Sequence, residues 1–297
     1  MHHSACCKIK EVKKINGQLR SRGCPFGITE RNHYMNIIHE IRTNRRTAVV
    51  TGATSGIGRD IARILSRKGY HIILTGRNEE ELLRMCIELG DDRTTAVSAD
   101  LSDEKECRRL YRYARSYNVE VLINNAGFGM YGEFVKVSLK KELEMLDVNV
   151  RAVHILMKLF LRDFVRVNKG YILNVASSAG FMPGPFMSGY YATKNYVVSQ
   201  TSAVHEELRR RHSKVKVCAL CPGPVDTKFN ERAGVGFTIG SITSQQAARE
   251  AVDGLFKGKT LIIPTTKMKL LCFFSRMAPI GLTTFVNYYI QHGKKEL

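Results

Sequence analysis

The sequence contains no unbroken apolar run long enough to cross a bilayer. Its most apolar and aromatic stretch, Met268 to Ile290, is interrupted by Arg276 and Pro279, whereas a spanning helix needs about 20 consecutive apolar residues. The N-terminus lacks the apolar core of a secretory signal. No internal repeat and no low-complexity segment is present, which excludes solenoid and fibrous architectures. Acidic residues are scarce: 27 Asp and Glu stand against 46 Lys and Arg among 297 residues, a formal net charge of +19. Ten of those cations and only three Glu lie between Met1 and Arg46. With little apolar periodicity, residues 1–44 read as a basic, solvated, partly disordered extension. No nucleic-acid-binding motif accompanies the charge, so no specific nucleic-acid partner is expected. Met35 stands shortly before the first strand-like run, and translation is expected to be able to start there.

Eight cysteines are present, including the pair Cys218 and Cys221 inside the apolar run VKVCALC. Three apart on a strand, these thiols point to opposite faces, so neither a metal nor a redox pair is expected. Free thiols fit a reducing, cytoplasmic location.

Hydrophobic residues make up 44% of the chain and charged residues 25%, ordinary values for a globular protein with a large core. From Thr47 onward the pattern is regular. β-Branched runs at Ala48–Thr51, His71–Thr75, TTAVSAD, EVLINNAG, GYILNVAS and VKVCALCPG alternate with helical repeats, and a last short run, LIIP, follows a helix near Ser244–Phe256. Such alternation predicts a parallel sheet wound on both faces by helices, because each return between parallel strands needs a crossover. The fold class expected is therefore α/β: one Rossmann-like, doubly wound domain over residues 45–297, ending in an apolar helical tail at 267–297. Ligands of such folds sit beyond the carboxyl ends of the strands.

The residues at those ends carry chemistry. Thr51-Gly52-x-x-x-Gly56-x-Gly58 lies between a strand and a helix, where glycines allow a sharp turn and close approach to a pyrophosphate at the helix N-terminus. Arg77, after the second strand, suits a ribose 2′-phosphate and so NADP(H) over NAD(H). Asp100 offers an acceptor for an adenine amine, although a helix N-cap is the plainer use of this region, with Ser102 the natural cap. Asn124-Asn125-Ala126-Gly127 follows the fourth strand and could line a cofactor or simply make a turn. Asn149 falls inside the expected long helix Leu139–Val165, where Asn is a poor helix former and a competitor for the backbone is expected. His154 and His205 read as ordinary helix residues without partners. Tyr190 and Lys194, four apart on a helix, share one face. A cation near the phenol favours its phenolate, and Ser177 precedes a Gly- and Pro-rich loop that can bring its hydroxyl to the phenol.

Taken together, these motifs resemble the classical short-chain dehydrogenase/reductase family over about Arg45 to Pro264. The resemblance selects Ser177 over Ser178, since the family's serine lies thirteen residues before its tyrosine, and Tyr190 over Tyr191, which has Asn195 four residues on. It implies a catalytic set of Asn149, Ser177, Tyr190 and Lys194: Tyr190 gives a proton to a carbonyl as hydride arrives from the nicotinamide, Lys194 lowers the tyrosine pKa and binds the ribose, Ser177 polarises the carbonyl, and Asn149 holds a water. The implied cofactor-binding residues are Gly52, Ser55, Gly56, Ile57, Gly58, Arg77, Asp100, Leu101, Asn125, Ala126, Gly127, Tyr190, Lys194, Pro222, Gly223, Val225 and Thr227, with no metal.

The function so implied is interconversion of a carbonyl and a secondary alcohol by an NADP(H)-dependent enzyme. A helix-mediated homodimer or homotetramer is what the family suggests. The loop residues Phe181, Met182, Pro183, Phe186 and Met187, with Phe229 and Phe237, point to a hydrophobic substrate of steroid or fatty-acyl type. The segment Thr227–Ile242, with Gly234, Gly236 and Gly240, has the composition of a closing flap. The apolar tail fits a lid, an oligomer contact or a weak membrane-surface anchor. The rival readings are a catalytically silent nucleotide sensor and an anionic-surface-binding protein on the same fold.

Overall fold

The computed structural model describes residues 44–227 and 241–293. The basic extension, the Met35 start, Phe229, Phe237 and the glycines of the flap fall outside them. Seven parallel strands form the central sheet: β1 (Arg46–Thr51), β2 (His71–Gly76), β3 (Thr94–Ser98), β4 (Asn118–Asn124), β5 (Tyr171–Val175), β6 (Lys216–Leu220) and β9 (Leu261–Ile262). They lie in the order β3-β2-β1-β4-β5-β6-β9, and β7 (Val225–Asp226) pairs separately with β8 (Ile242–Thr243). Chain order reverses direction between β1 and β4, which opens a crevice at their carboxyl ends.

The period of two along each strand distributes the core over both faces. Ala48 and Val50 of β1, with Ile72 and Leu74 of β2, pack against Ile61 and Leu65 of α1 (Gly56–Arg67), Leu82 of α2 (Glu79–Leu89) and Val252 and Leu255 of α7 (Ser244–Phe256). Val49, Ile73, Leu122 and Ile172 face the other way, against Leu110 of α3 (Glu104–Ala114) and Leu156 and Phe160 of α5 (Val153–Val167). Each of these buried Val, Leu, Ile and Phe side chains stabilises the fold by about 1.5–3 kcal/mol relative to exposure. Cys218 belongs to the first layer, and Cys221 to a separate cluster with Phe181, Met182 and Val198. The two thiols are thus on opposite faces, and among the described residues no group of side chains suited to a metal occurs.

Three local expectations need correction. The helix expected over Leu139–Val165 is not continuous: α4 (Leu139–Leu146) passes through a π-helical segment, Asp147–Ala152, before α5 begins. The cap of α3 is Asp103, whose carboxylate accepts from Lys105 N at 2.8 Å, while Ser102 instead donates to Asp100 Oδ1 at 2.9 Å. The histidines have partners, because helix packing brings distant residues to them. His154 Nδ1 lies 2.6 Å from the Tyr196 hydroxyl, and His205 Nδ1 2.9 Å from the Val217 carbonyl.

After α6 (Ser188–Arg210) and the last strand, the tail forms two helices, α8 (Thr266–Met277) and α9 (Ile280–His292), split at Pro279. The tail seats against the body through few but specific contacts. Asn287 Nδ2 donates to the Pro183 carbonyl at 2.8 Å, and the Tyr131 hydroxyl to the Gln291 carbonyl at 3.0 Å.

Candidate active site

One cavity of about 1420 Å³ runs along the carboxyl ends of the strands. It exceeds the roughly 300–1,000 Å³ of a typical single-ligand pocket, which leaves room for a dinucleotide and a second molecule.

The first wall is the loop between β1 and α1. Gly52 and Gly56 adopt φ of 61° and 52°, conformations strained for residues with a Cβ. A Cβ on Gly58 would stand 2.3 Å from Asn125 Nδ2 and 2.5 Å from the Gly52 carbonyl, so that helix and loop pack directly on each other there. Thr51 ties this loop to the end of β4. Its hydroxyl donates to the Ile123 carbonyl at 3.2 Å and accepts from Asn125 N and Ala126 N at 2.9 and 3.0 Å. Asn125 returns the tie, its amide donating to the Thr51 and Gly52 carbonyls, both at 3.0 Å. The N-cap of α1, Ser55, makes no side-chain capping bond, and the first turn has no acidic residue. Unsatisfied N–H groups at a helix start, lining a cavity, favour an anion. The cradle fits a pyrophosphate.

The second wall brings a phenol, an amine and a hydroxyl together. Tyr190 and Lys194 share one face of α6, 8% and 5% exposed, and both line the cavity. Burial raises the Tyr190 pKa well above 10, opposed by a hydrogen bond with Ser177. Ser177 Oγ also accepts from Ala179 N at 3.1 Å, which fixes its rotamer. Lys194 Nζ donates to the Val175 carbonyl at 2.8 Å and lies 5.8 Å from the Tyr190 ring centre. Its pKa falls to about 8, because burial disfavours the ammonium. The Ser177 hydrogen bond draws the Tyr190 phenol down against its burial.

Asn149 is fully buried within the π-helical segment. Its Oδ1 accepts from Phe128 N at 3.1 Å, and its Nδ2 donates to the Phe128 carbonyl at 2.8 Å and to Thr193 Oγ1 at 3.1 Å. The competitor for the helix backbone is thus a neighbouring chain segment, and the clamp ties the loop after β4 to α6. π-Helical turns of this kind recur at functional sites.

Of the residues singled out from sequence, Gly52, Ser55, Gly56, Ile57, Arg77, Asp100, Leu101, Asn125, Ala126, Gly127, Ser177, Tyr190, Lys194, Pro222, Gly223, Val225 and Thr227 all line the cavity. Gly58 and Asn149 do not, and act from behind the wall. Arg77 stands at the rim, its side chain 61% exposed, 2.7 Å from Glu144. In the apolar loop only Met182 and Met187 reach the cavity. Phe181 instead packs beneath the Arg276 guanidinium at 5.4 Å, and Phe186 stacks between Tyr131 and Tyr288 at 5.8 and 5.3 Å. These aromatic rings serve packing because the tail covers the loop.

Sequence reasoning missed Tyr191 and Gln291, which meet in a short hydrogen bond at the cavity wall. Asn287 and Gln291, four apart in a largely apolar helix, were the available signal. The Thr51 hub carried none, since its partners lie more than seventy residues away.

A parallel sheet with its crevice at the β1/β4 switch, a glycine cradle for an anion, and a phenol beside a buried amine and a hydroxyl together define an oxidoreductase on a Rossmann-like fold. Residues 46–235 match the family model of short chain dehydrogenases, and the chain belongs to that family. An uncharacterized oxidoreductase of Staphylococcus epidermidis is 31% identical over 197 residues, 66% of this chain and 84% of that protein. A short-chain dehydrogenase from Sphingobium yanoikuyae, solved in complex with NADPH, superposes with a TM-score of 0.71 at 26% identity, over 78% of this chain and 94% of that one. The bulky-bulky ketone specific alcohol dehydrogenase from Comamonas testosteroni gives a TM-score of 0.68 at 25% identity, over 80% and 94%.

Proposed function

We propose that this protein interconverts a hydrophobic ketone and its secondary alcohol with NADP(H). The observation that carries the reading is the convergence of Ser177, Tyr190 and Lys194 on the cavity that also holds the glycine cradle. Bound there, the nicotinamide supplies or accepts the hydride.

Residues of this chain do the rest. Burial holds the Tyr190 pKa above its ordinary value, so its hydroxyl carries the proton that would pass to a carbonyl oxygen in the cavity. Ser177, bonded to Tyr190, places a second hydroxyl at the same oxygen and stabilises negative charge developing on it. Lys194, with a pKa near 8, exchanges its proton close to neutral pH and offers its N–H groups to ribose hydroxyls. Asn149 holds the Phe128 backbone and Thr193 in register with α6. The Arg77 guanidinium at the rim favours a 2′-phosphate through bidentate bonding, with Glu144 as its partner in the free enzyme. The apolar share of the cavity, Met182 and Met187 with Leu271 and Phe274 of the tail, supports a bulky apolar substrate. So does the likeness to a dehydrogenase of bulky ketones.

The test is a spectrophotometric screen following NADPH oxidation with bulky ketones and with small polar carbonyls, repeated with NADH. Tyr190→Phe is expected to lower kcat by at least about 100-fold while NADPH still binds, read by fluorescence titration. Wild-type turnover in that variant, or a substrate range confined to small polar carbonyls, would overturn the assignment.

A further inference from the structure

The last helix, α9, inverts the polarity of a helix in a water-soluble protein, and α8, which buries only Cys272, exposes apolar side chains beside it. The side chains they bury include Asn287 and Gln291, 6% and 1% exposed, whereas Phe273, Met277, Ile280, Phe285 and Tyr289 are 60%, 71%, 75%, 60% and 62% exposed. A soluble amphipathic helix does the reverse. Single exposed apolar residues are ordinary, but a set gathered on two consecutive helices marks an interaction surface. Ring contacts join parts of it: Phe273 with Phe274 at 5.6 Å, and Phe285 with Tyr289 at 5.0 Å.

We propose that the consecutive helices α8 and α9 dock on an anionic lipid bilayer, and that the cavity opens into this face to take a carbonyl or alcohol dissolved in the membrane. The inference rests on the hydride-transfer reading above and names the phase from which its substrate comes.

Charge selects the occupant. Between Thr265 and Lys295 the chain has no Asp or Glu, while Lys267, Lys269 and Arg276 lie on α8. A second copy of the same face would set these cations against their own kind. Lipid phosphates would complement them, and basic residues beside an apolar helix face strengthen binding to anionic membranes. Length decides how the two helices sit. Helices of 12 and 13 residues reach only about 18–20 Å at 1.5 Å per residue, against about 30 Å of hydrocarbon. Among the described residues no helix is long and apolar enough to cross a membrane. The two helices therefore lie in the interface, with Met277 and Ile280 at the junction around Pro279.

The patch and the cavity are continuous. Leu271, Phe274, Leu282, Val286 and Ile290 line the cavity and are also 46%, 62%, 54%, 47% and 53% exposed. The polar contacts of Asn287 and Gln291 hold α9 to the body from within, which leaves its outer surface to meet the apolar phase.

Full-length protein is mixed with vesicles of phosphatidylcholine, with and without about 30% phosphatidylglycerol, and cosedimentation is measured at low and high salt. The variant is Met277→Glu with Ile280→Glu; neither residue lines the cavity. Wild type is expected to bind anionic vesicles in a salt-sensitive way, and the variant to bind about tenfold or more weakly. The variant should reduce a water-soluble ketone at the wild-type rate and lose turnover of a long-chain ketone presented in vesicles. Absence of wild-type binding, equal binding by the variant, or salt-independent self-association abolished by the variant would overturn the docking face. Reduction of the soluble ketone without vesicle binding would leave the function reading standing and remove only this inference. Vesicle binding without reduction of any ketone would remove the function reading and the membrane substrate with it.

Discussion

Lys194→Met should make the cofactor-free protein more stable while abolishing its turnover. The ammonium of Lys194 is 5% exposed and, among the described residues, makes one hydrogen bond, to the Val175 carbonyl. Burial lowers its pKa from 10.5 to about 8. A shift of that size corresponds to about 3 kcal/mol, to order of magnitude, at 1.36 kcal/mol per pH unit. Between those two pKa values the unfolded chain holds the proton and the folded chain has shed it, so stability due to Lys194 rises with pH across that window. Below about pH 8 both states are protonated and the full cost of burying the charge is in force.

Other groups work against that slope in the whole protein. Buried Cys107, Cys218 and Cys272 have pKa values pushed up to about 12, 12 and 11, and each favours the unfolded state once pH passes its unfolded value. The measurement is therefore a difference: urea unfolding of wild type and Lys194→Met from pH 7 to 9.5, in which the thiol contributions cancel. The variant is expected to be more stable by about 2–3 kcal/mol at pH 7, after about 1 kcal/mol is allowed for the lost hydrogen bond. The gap should narrow by about 2 kcal/mol at pH 9.5. A difference that does not change with pH would show that Lys194 is not a desolvated ammonium and would refute the reasoning.

Two further outcomes follow from the geometry. Arg77→Ala should raise the KM for NADPH by about tenfold through loss of a bidentate phosphate contact, with little effect on NADH; equal effects on both cofactors in steady-state kinetics would contradict the 2′-phosphate assignment. Gly58→Ala should destabilise the fold by about 1–3 kcal/mol through overpacking, because its Cβ meets the Gly52 backbone at 2.5 Å. An unchanged thermal midpoint would mean that α1 is not seated so closely on the glycine loop.

The strands, most of the helices and the serine, tyrosine and lysine were legible in the sequence, because each depends on local spacing. A period of two or 3.6 marks the elements, a four-residue interval puts Tyr190 and Lys194 on one face, and the family resemblance, through its thirteen-residue interval, picks Ser177. Asn149 was legible as an anomaly, but the π-helical segment was not, since it is held by the Phe128 backbone and Thr193 rather than by its own neighbours. Phe181 and Phe186 were misread as substrate-facing because apolar composition alone cannot separate a packed ring from a pocket wall.

The sequence by itself thus determined the class of fold, the order of its strands along the chain and which phenol, amine and hydroxyl meet at the cavity. Only the tertiary structure decided their electrostatic states and neighbours. Lys194 is desolvated because α6 packs on the end of β5, Arg77 meets Glu144 because the sheet brings α4 to the rim, and the tail turns its amides inward because Pro183 and Tyr191 await them. Such properties depend on contacts between residues far apart in the chain, and a local pattern does not record them.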